Sequence, residues 1–298
     1  MGDADERFTE DALRIMRAVR FSAQLGFSME DKTKAAIRGH AENLRKVSAE
    51  RIQTELTKLV TSPHPEYLRS AWETGITAVF LPEFDRLMRT PQNNPHHCLN
   101  VGEHTLRAMQ AVRPDKILRL TMLFHDFGKP DCASADENGM DHFHGHGAVS
   151  SKMAEEILKR LRYDNDTIDR VRELVYWHDM EILPEKRAVR RAASKVGKEL
   201  FPLLLEVKQA DLAAQSDYQR PQKEEWLRSL HDIYEQIQEE GDCLSLKDLA
   251  VTGRDLIAAG MKPGPQLGQT LQNLLQLVLE DPSRNSKEYL LSNLPKET

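Results

Sequence analysis

Long apolar runs are missing from this sequence, and their absence removes one class of protein at once. No stretch of about 18 apolar residues occurs, so nothing reads as a membrane span. The opening residues, MGDADERFTEDALR, lack an apolar segment and do not read as a secretory signal. Cysteine is scarce. Cys98, Cys132 and Cys243 match no zinc-ligand spacing, and three thiols cannot all pair with one another, so reduced thiols in a cytoplasmic protein are expected. Alternating runs of Val, Ile and Thr are absent, which argues against a sheet. Internal repeats and low-complexity tracts are absent too.

The residues that are present describe a globular chain. Hydrophobic residues make up 40% and charged ones 30% of the 298, a balance that argues against long disorder. The net charge of -6 does not announce a nucleic-acid binder, so any such binding needs a local basic face.

Such a face is offered near the start. Between Thr9 and Gly26, Leu13, Met16, Val19 and Leu25 recur at helical spacing with Arg14, Arg17 and Arg20 interleaved. One helix is expected there, ended by Gly26 as a C-cap. Helical periodicity then continues at about 28–40, 48–60, 65–75, 100–112, 116–126, 147–162, 166–178, 187–195, 201–218 and 222–239, with a last helical unit around Asp255 and 266–280. Phe80-Leu81-Pro82 reads as the close of the first region, and 91–95, rich in Pro, Gln and Asn, as a boundary. Residues 131–146 read as a polar loop. An all-helical fold is expected, with a first helical domain over 1–90, a second over 91–240 and a small helical tail over 241–298.

Chemistry concentrates where polar residues interrupt apolar helices. The run Ile117 to Phe124 leads straight into His125-Asp126, then Gly128 and Lys129. An imidazole and a carboxylate at the end of a buried helix are costly unless their charge is compensated, and a divalent ion would do that. A dipeptide of this kind alone is more often a salt-bridged helix end. Asp211 stands among Leu, Val and Ala on a second apolar helix, and His104 stands beside Val101 and Leu106 on a third. A core histidine is the ordinary explanation of His104 taken alone. Three helices that each bury a His or an Asp form a more specific pattern.

This order of residues resembles the HD superfamily of metal-dependent phosphohydrolases, with His104, His125, Asp126 and Asp211 at its signature positions. The resemblance implies that His146 and His178 are the extra histidines of members holding two metals. His142 and His144 share the loop with His146 and compete for that role. Lys129 follows the His-Asp pair where a phosphate contact would be useful, with a solvated loop lysine as the alternative. The metal, nickel, manganese, cobalt or magnesium, would activate water and clamp phosphate oxygens.

A second constellation is Glu10-Asp11-Ala12-Leu13-Arg14. On spacing alone it is an ordinary surface ion pair. The whole string from Arg7 to Phe21, however, closely resembles the neck of class II CCA-adding tRNA nucleotidyltransferases and their poly(A) polymerase relatives. There the motif reads the incoming CTP or ATP, which makes Asp11 and Arg14 the expected nucleotide-binding residues. Leu25-Gly26-Phe27, Arg51-Ile52 with Glu55-Leu56, and Gly75 to Glu83 continue the likeness, and the stretch from Val251 to Gly268 resembles the tail. Gly2 to Phe8 resembles the family's pre-neck linker. The family's head, a sheet with a Gly-Ser turn and paired metal-binding carboxylates, would precede Arg7; Asp164-Asn165-Asp166 reads as a turn and N-cap instead.

The resemblance therefore implies neck, body, HD region and tail without the head. The expected activity is phosphohydrolysis of nucleotide or RNA-terminal phosphates, for example 2′,3′-cyclic phosphates, with tRNA or other RNA bound through Arg17 and Arg20. CCA addition by this chain alone is not expected. The alternative is a non-catalytic tRNA-docking and nucleotide-reading fragment that needs a head supplied elsewhere.

Overall fold

The computed structural model describes residues 3–295; Gly2, at the start of the linker-like stretch, lies outside them. Helices carry the fold, as their periodicity predicts. Among the described residues, the departures toward sheet are a hairpin inside the expected loop, with Ser134–Ala135 antiparallel to Asp141–His142, and an isolated bridge between Asn94 and His97. The hairpin's turn is built by Asp136, whose Oδ1 accepts from the backbone N–H groups of Asn138 and Met140, each at 2.9 Å. Strands of two residues are too short to show alternation, so this segment reads as loop in the sequence.

The chain forms two compact units. One holds the sequence up to Asp179 together with Glu206–Lys223; the other holds Met180–Leu205 and the chain from Glu224 onward.

At the centre of the first unit lies the helix Lys116–Phe124. Every residue from Ile117 to Phe124 is buried. A helix that is apolar nearly all round has no solvent face and must be enclosed. The helices Ala49–Val60, Val101–Ala111, His146–Arg160 and Asn165–Trp177 pack around it. Asp115 caps its start, accepting from the N–H groups of Ile117 and Leu118 at 2.9 and 3.1 Å. Asn100 and Asp164 cap two of the surrounding helices in the same way, at 2.8 Å each. Burial of Leu118, Leu120, Leu123 or Phe124 contributes roughly 1.5–3 kcal/mol apiece.

The first helix is not continuous from Thr9 to Gly26. It is two, Ala4–Glu10 and Leu13–Leu25, broken at Asp11. Asp11 adopts an extended backbone (φ -146°, ψ 104°), and its Oδ1 accepts the Leu13 N–H at 3.1 Å. An aspartate that can cap a new helix competes with continuing the old one, and here the cap prevails. A second difference concerns Pro82. Instead of closing a region, it occupies the first turn of the helix Pro82–Arg89, where its missing N–H costs nothing. That helix packs against Val101–Ala111 at Gly102, where a β-carbon would stand 2.8 Å from the Met88 backbone.

The arginine face of Leu13–Leu25 is partly turned inward. Glu55, on Ala49–Val60, is buried and draws both Arg20 (Nε–Oε2 2.6 Å) and Arg17 (Nε–Oε1 3.5 Å). Arg20 is 11% exposed and its guanidinium lies 3.8 Å over the Phe21 ring, while Arg17 keeps 44% exposure. In the second unit, Arg190 on Lys186–Val196 is buried, pairs with Asp242 at 3.1 Å and donates to the backbone carbonyls of Leu279 and Glu280.

Glu55→Ala is therefore expected to leave Arg20 as an unpaired buried cation and to destabilise the first unit by about 3–5 kcal/mol. Arg17→Ala should change stability by under about 1 kcal/mol, since its partner retains Arg20. Urea unfolding of the two variants checks both; equal midpoints would contradict this account.

Candidate metal centre

Five segments converge on one point of the first unit. His104 comes from Val101–Ala111, and Asp211 from Phe201–Ala214. His125 is the first residue past Lys116–Phe124, with Asp126 beside it. His178 is likewise the first residue past Asn165–Trp177, and His146 opens His146–Arg160 directly after Gly145, whose φ of 75° suits glycine. Two helices thus end at the site with their unsatisfied carbonyls and the negative end of their dipoles.

Those carbonyls orient the imidazoles. His125 Nδ1 lies 2.7 Å from the Met122 carbonyl, His178 Nδ1 2.7 Å from that of Val175 and His146 Nδ1 2.9 Å from that of Phe143. Since a carbonyl only accepts, each Nδ1 carries the proton and each Nε2 is left with a lone pair. His146 and His178 Nε2 face one another 3.0 Å apart, while His125 Nε2 lies 3.3 Å from His104 Nε2, which donates to Asp211 Oδ1 at 2.8 Å. Two bare lone pairs at that distance repel unless a proton or a metal ion lies between them. Nitrogens bound at right angles to one ion at about 2.1 Å stand roughly 3.0 Å apart, which matches.

Asp126 lies between the pairs. Its Oδ1 is 3.3 Å from His146 Nε2 and 3.8 Å from His178 Nε2; its Oδ2 is 3.2 Å from His125 Nε2 and 3.6 Å from His104 Nε2. Asp211 Oδ1 is 2.8 Å from His104 Nε2 and 3.8 Å from His125 Nε2. The side chains fall into two groups that could each hold a metal ion, His104 with His125 and Asp211, and Asp126 with His146 and His178. Asp126 Oδ2 is buried with no hydrogen bond aligned on it, although Lys129 Nζ stands 2.8 Å away. An orphaned carboxylate oxygen, four converging imidazole nitrogens and a second carboxylate fit divalent ions well.

The electrostatics point the same way. Burial raises the Asp126 pKa, but His125 and Lys129 outweigh it and hold the carboxyl well below its usual range. Burial likewise opposes charge on Asp211, which the hydrogen bond and charge of His104 override, keeping it ionised. For His125, burial acts downward and Asp126 upward, and the net shift is upward. Burial, followed by His125 and His146, pushes His178 down to about 4. The site is a pair of fixed anions that calls for positive charge.

A surrounding set of residues was not foreseen from the sequence. Gln215 donates to Asp211 Oδ2 at 3.0 Å and receives Lys223 at 2.7 Å; it follows Asp211 by four residues, a helical spacing that could have flagged it. Gln92 accepts from Lys129 Nζ at 2.8 Å, and Lys208 donates to the His178 carbonyl at 2.8 Å. His97 packs edge-on against His104, and burial together with Lys129 and His104 pushes its pKa down to about 3, so it stays neutral. Lys129 is buried against Asp126 instead of being a solvated loop lysine.

Asp11 and Arg14 lie apart from this cluster, and not on one helix face. Asp11 sits in the break between helices and its carboxylate is 3.2 Å from Arg51, whereas Arg14 pairs with Glu10 at 2.6 Å. A cavity of about 250 Å³ adjoins Glu10 and Asp11, walled also by Asn43, Lys46 and Arg51. Arg51 is the residue that spacing within one helix could not reveal.

Gly128 holds the two halves of the centre together. A β-carbon there would lie 2.7 Å from the His146 carbonyl and from the Ser150 N–H nitrogen. Gly128→Ala should push His146–Arg160 away from Asp126, lower stability by about 1–3 kcal/mol and reduce bound metal by one ion per chain. Elemental analysis and a melting curve check this; unchanged metal content and melting temperature would show that the contact is not critical.

Comparison with known proteins supplies the family. Residues 26–88 match the model described as the probable RNA- and SrmB-binding site of polymerase A. The CC-adding tRNA nucleotidyltransferase of Thermus thermophilus is 34% identical over 93% of this chain and 64% of its own length. The A-adding enzyme of Deinococcus radiodurans is 28% identical over 92% and 65%, and the CCA-adding enzyme of Levilactobacillus brevis 31% identical over 98% and 62%. The chain thus spans less than two thirds of the length of these relatives. The crystal structure of the Bacillus stearothermophilus CCA-adding enzyme in complex with CTP shares the fold, with a TM-score of 0.63 at 23% identity over 98% of this chain and 62% of that one. With residues 145–294 matching the model for tRNA nucleotidyltransferase domain 2, the chain belongs to the tRNA nucleotidyltransferase family.

Proposed function

We propose that this chain is a tRNA-binding member of its family whose buried His/Asp centre is a metal-dependent phosphohydrolase site acting on nucleotide or RNA-terminal phosphates. The observation that carries this reading is the Asp126 carboxylate, with two imidazole Nε2 atoms within 3.8 Å of each of its oxygens. Such a carboxylate can bridge two ions, one held by His104, His125 and Asp211 and the other by His146 and His178.

Divalent ions bound there would supply a water of lowered pKa and positive charge for phosphate oxygens. The chain's own residues divide the remaining work. Lys129 donates one hydrogen bond to Gln92 and stands 2.8 Å from Asp126, which leaves donor capacity for a phosphate oxygen. Gln215 fixes the Asp211 carboxylate, and Lys208 fixes the end of the His178 helix. In hydrolysis a water oxygen bonds to phosphorus, one ester P–O bond breaks, and the departing alcohol oxygen takes up a proton.

Domain by domain, we assign residues 1–90 to the neck and body, 91–240 to the HD-type region and 241–298 to the tail. The neck supports tRNA binding and nucleotide reading through the Asp11, Lys46 and Arg51 cavity, and the relatives named as CC-, A- and CCA-adding enzymes favour tRNA as the RNA. CTP and ATP are the nucleotides such a neck would read.

Asp126→Ala is expected to lose bound metal and at least about a hundredfold in phosphoester hydrolysis, because water without the ion returns to its ordinary pKa. The fold should persist, since the apolar faces of the helices are untouched. Elemental analysis and a cyclic-phosphodiesterase assay, with nickel, manganese, cobalt and magnesium supplied in turn, compare it with wild type. Equal metal content and activity in the two proteins would reject the site. A bound metal without hydrolysis of any phosphoester would leave the tRNA-docking reading in its place.

The tRNA reading has its own test. Filter-binding affinity should fall steeply between low and moderate salt, as counterions released from phosphate are restored. A flat titration would reject it.

A further inference from the structure

The segment from Gln92 to His97 touches the surroundings of the metal centre at four places. Gln92 accepts from Lys129, Asn93 and Asn94 donate to Asp141 of the hairpin, and His97 packs on His104. His96 makes the fourth contact, with Lys223, and this one leads through Gln215 to the ligand Asp211.

Lys223 stands in the first turn of the helix Arg220–Glu239. A cation is disfavoured there, because a helix N-terminus is the positive end of the dipole. Two acceptors offset that cost: Nζ lies 2.9 Å from His96 Nδ1 and 2.7 Å from Gln215 Oε1. An ammonium only donates, so His96 Nδ1 accepts and Gln215 turns its oxygen to Lys223. His96 is itself held in place. Its carbonyl accepts the Ser216 N–H at 2.9 Å, and its ring meets the Tyr218 ring edge-on. Gln215 is left with its amide nitrogen donating to Asp211 Oδ2 at 3.0 Å. The reverse placement would set N–H against ammonium and oxygen against carboxylate, so Lys223 and Asp211 together permit one orientation of the amide. Asp211 is thereby divided. Its Oδ2 is taken by Gln215, and its Oδ1 faces His104 and His125.

A carboxylate with both oxygens free can rotate, chelate an ion with both of them or withdraw from it. Fixing one oxygen removes those options and presents a single ligand atom. We infer that Lys223, acting through Gln215, is a positioning residue that holds Asp211 to a one-oxygen contact with the ion of the His104, His125 and Asp211 group. The inference rests on the metal reading above and adds what keeps this ligand in place. The charge of Lys223 alone would act the other way, since an ammonium repels a dication. The two effects differ in sign: loss of the relay weakens metal binding, and loss of the charge tightens it. Lys223 is partly exposed and screened by solvent, which makes the repulsion the smaller of the two.

Lys223→Met and Gln215→Met keep the apolar stem and remove the hydrogen bonds; both positions are partly exposed, so the fold tolerates the change. Cobalt is titrated into metal-free protein and followed by its visible absorption, with Asp211→Ala marking the phase that belongs to this group. Each Met variant should bind that ion about tenfold more weakly and shift its absorption band, with the other phase unchanged. The double variant should match Gln215→Met, at about tenfold and not about a hundredfold, because the two residues act in series. Unchanged or tighter binding in Lys223→Met, equal weakening of both phases, or a double variant as weak as the product of the singles would overturn the inference and leave the metal reading intact. Wild-type cobalt uptake that Asp211→Ala leaves unaltered would reject an ion at this group, and with it both the reading and the inference.

Discussion

A carboxylate buried at the end of a mostly apolar, fully enclosed helix is the constraint around which the first unit is organised. Asp126 follows the unbroken buried run from Ile117 to His125 and is itself 1% exposed. Left alone there it would protonate or unfold the turn that carries it. Every polar group near it answers that demand. Lys129 stands one turn ahead on the same segment, and four imidazoles approach from four other positions. Against the downward effect of burial, Asp126 raises the pKa of His125, so positive charge is favoured beside the carboxylate. A divalent ion meets the same demand more fully, because it also separates nitrogen lone pairs that otherwise face one another.

The imidazoles are aimed by one device used three times. His125, His146 and His178 each direct Nδ1 to the carbonyl three residues earlier. At the ends of Lys116–Phe124 and Asn165–Trp177 such carbonyls have no helical partner, so a histidine just past the end satisfies the helix and orients itself in one bond. The tautomer follows without a designated carboxylate for each ring. His104, in mid-helix, has no such carbonyl nearby; its Nδ1 is 3.4 Å from the carbonyl of Ala214, on the helix that also carries Asp211. Helix position thus dictates how each imidazole is held.

Legibility in the sequence followed the same physics. His104, His125, Asp126 and Asp211 stood out because they interrupt apolar periodicity, and interruption is a local signal. His146 and His178 needed the family resemblance, since they sit at helix ends where histidine is unremarkable. Gln92, His97 and Lys208 gave no signal at all, and Glu55 stood out only through the family likeness. Their roles depend on which helices meet, and pairing across a fold is invisible to a one-dimensional pattern. The helical class was legible from periodicity, whereas the break at Asp11 was not: a capping aspartate and a mid-helix aspartate look alike until the backbone turns.

The helix Leu13–Leu25 shows why counting basic residues misjudges a binding face. Arg14, Arg17 and Arg20 read as one basic stripe, yet Glu10 takes Arg14 and Glu55 draws the other two. A guanidinium already paired with a carboxylate offers a phosphate less, because the phosphate must displace a partner fixed by the fold. Arg20 is nearly enclosed and cannot leave Glu55 without stranding a buried anion, so it holds the two helices together. Arg17, farther from Glu55 and more exposed, can turn to a ligand at small cost. Residues outside the stripe therefore matter more than the periodicity suggests. Lys46 and Arg51 line the cavity beside Asp11, and Arg51 is half exposed with Asp11 as its partner at 3.2 Å. The usable positive charge of this region lies where two helices and a turn meet, and that position is set by the Asp11 cap.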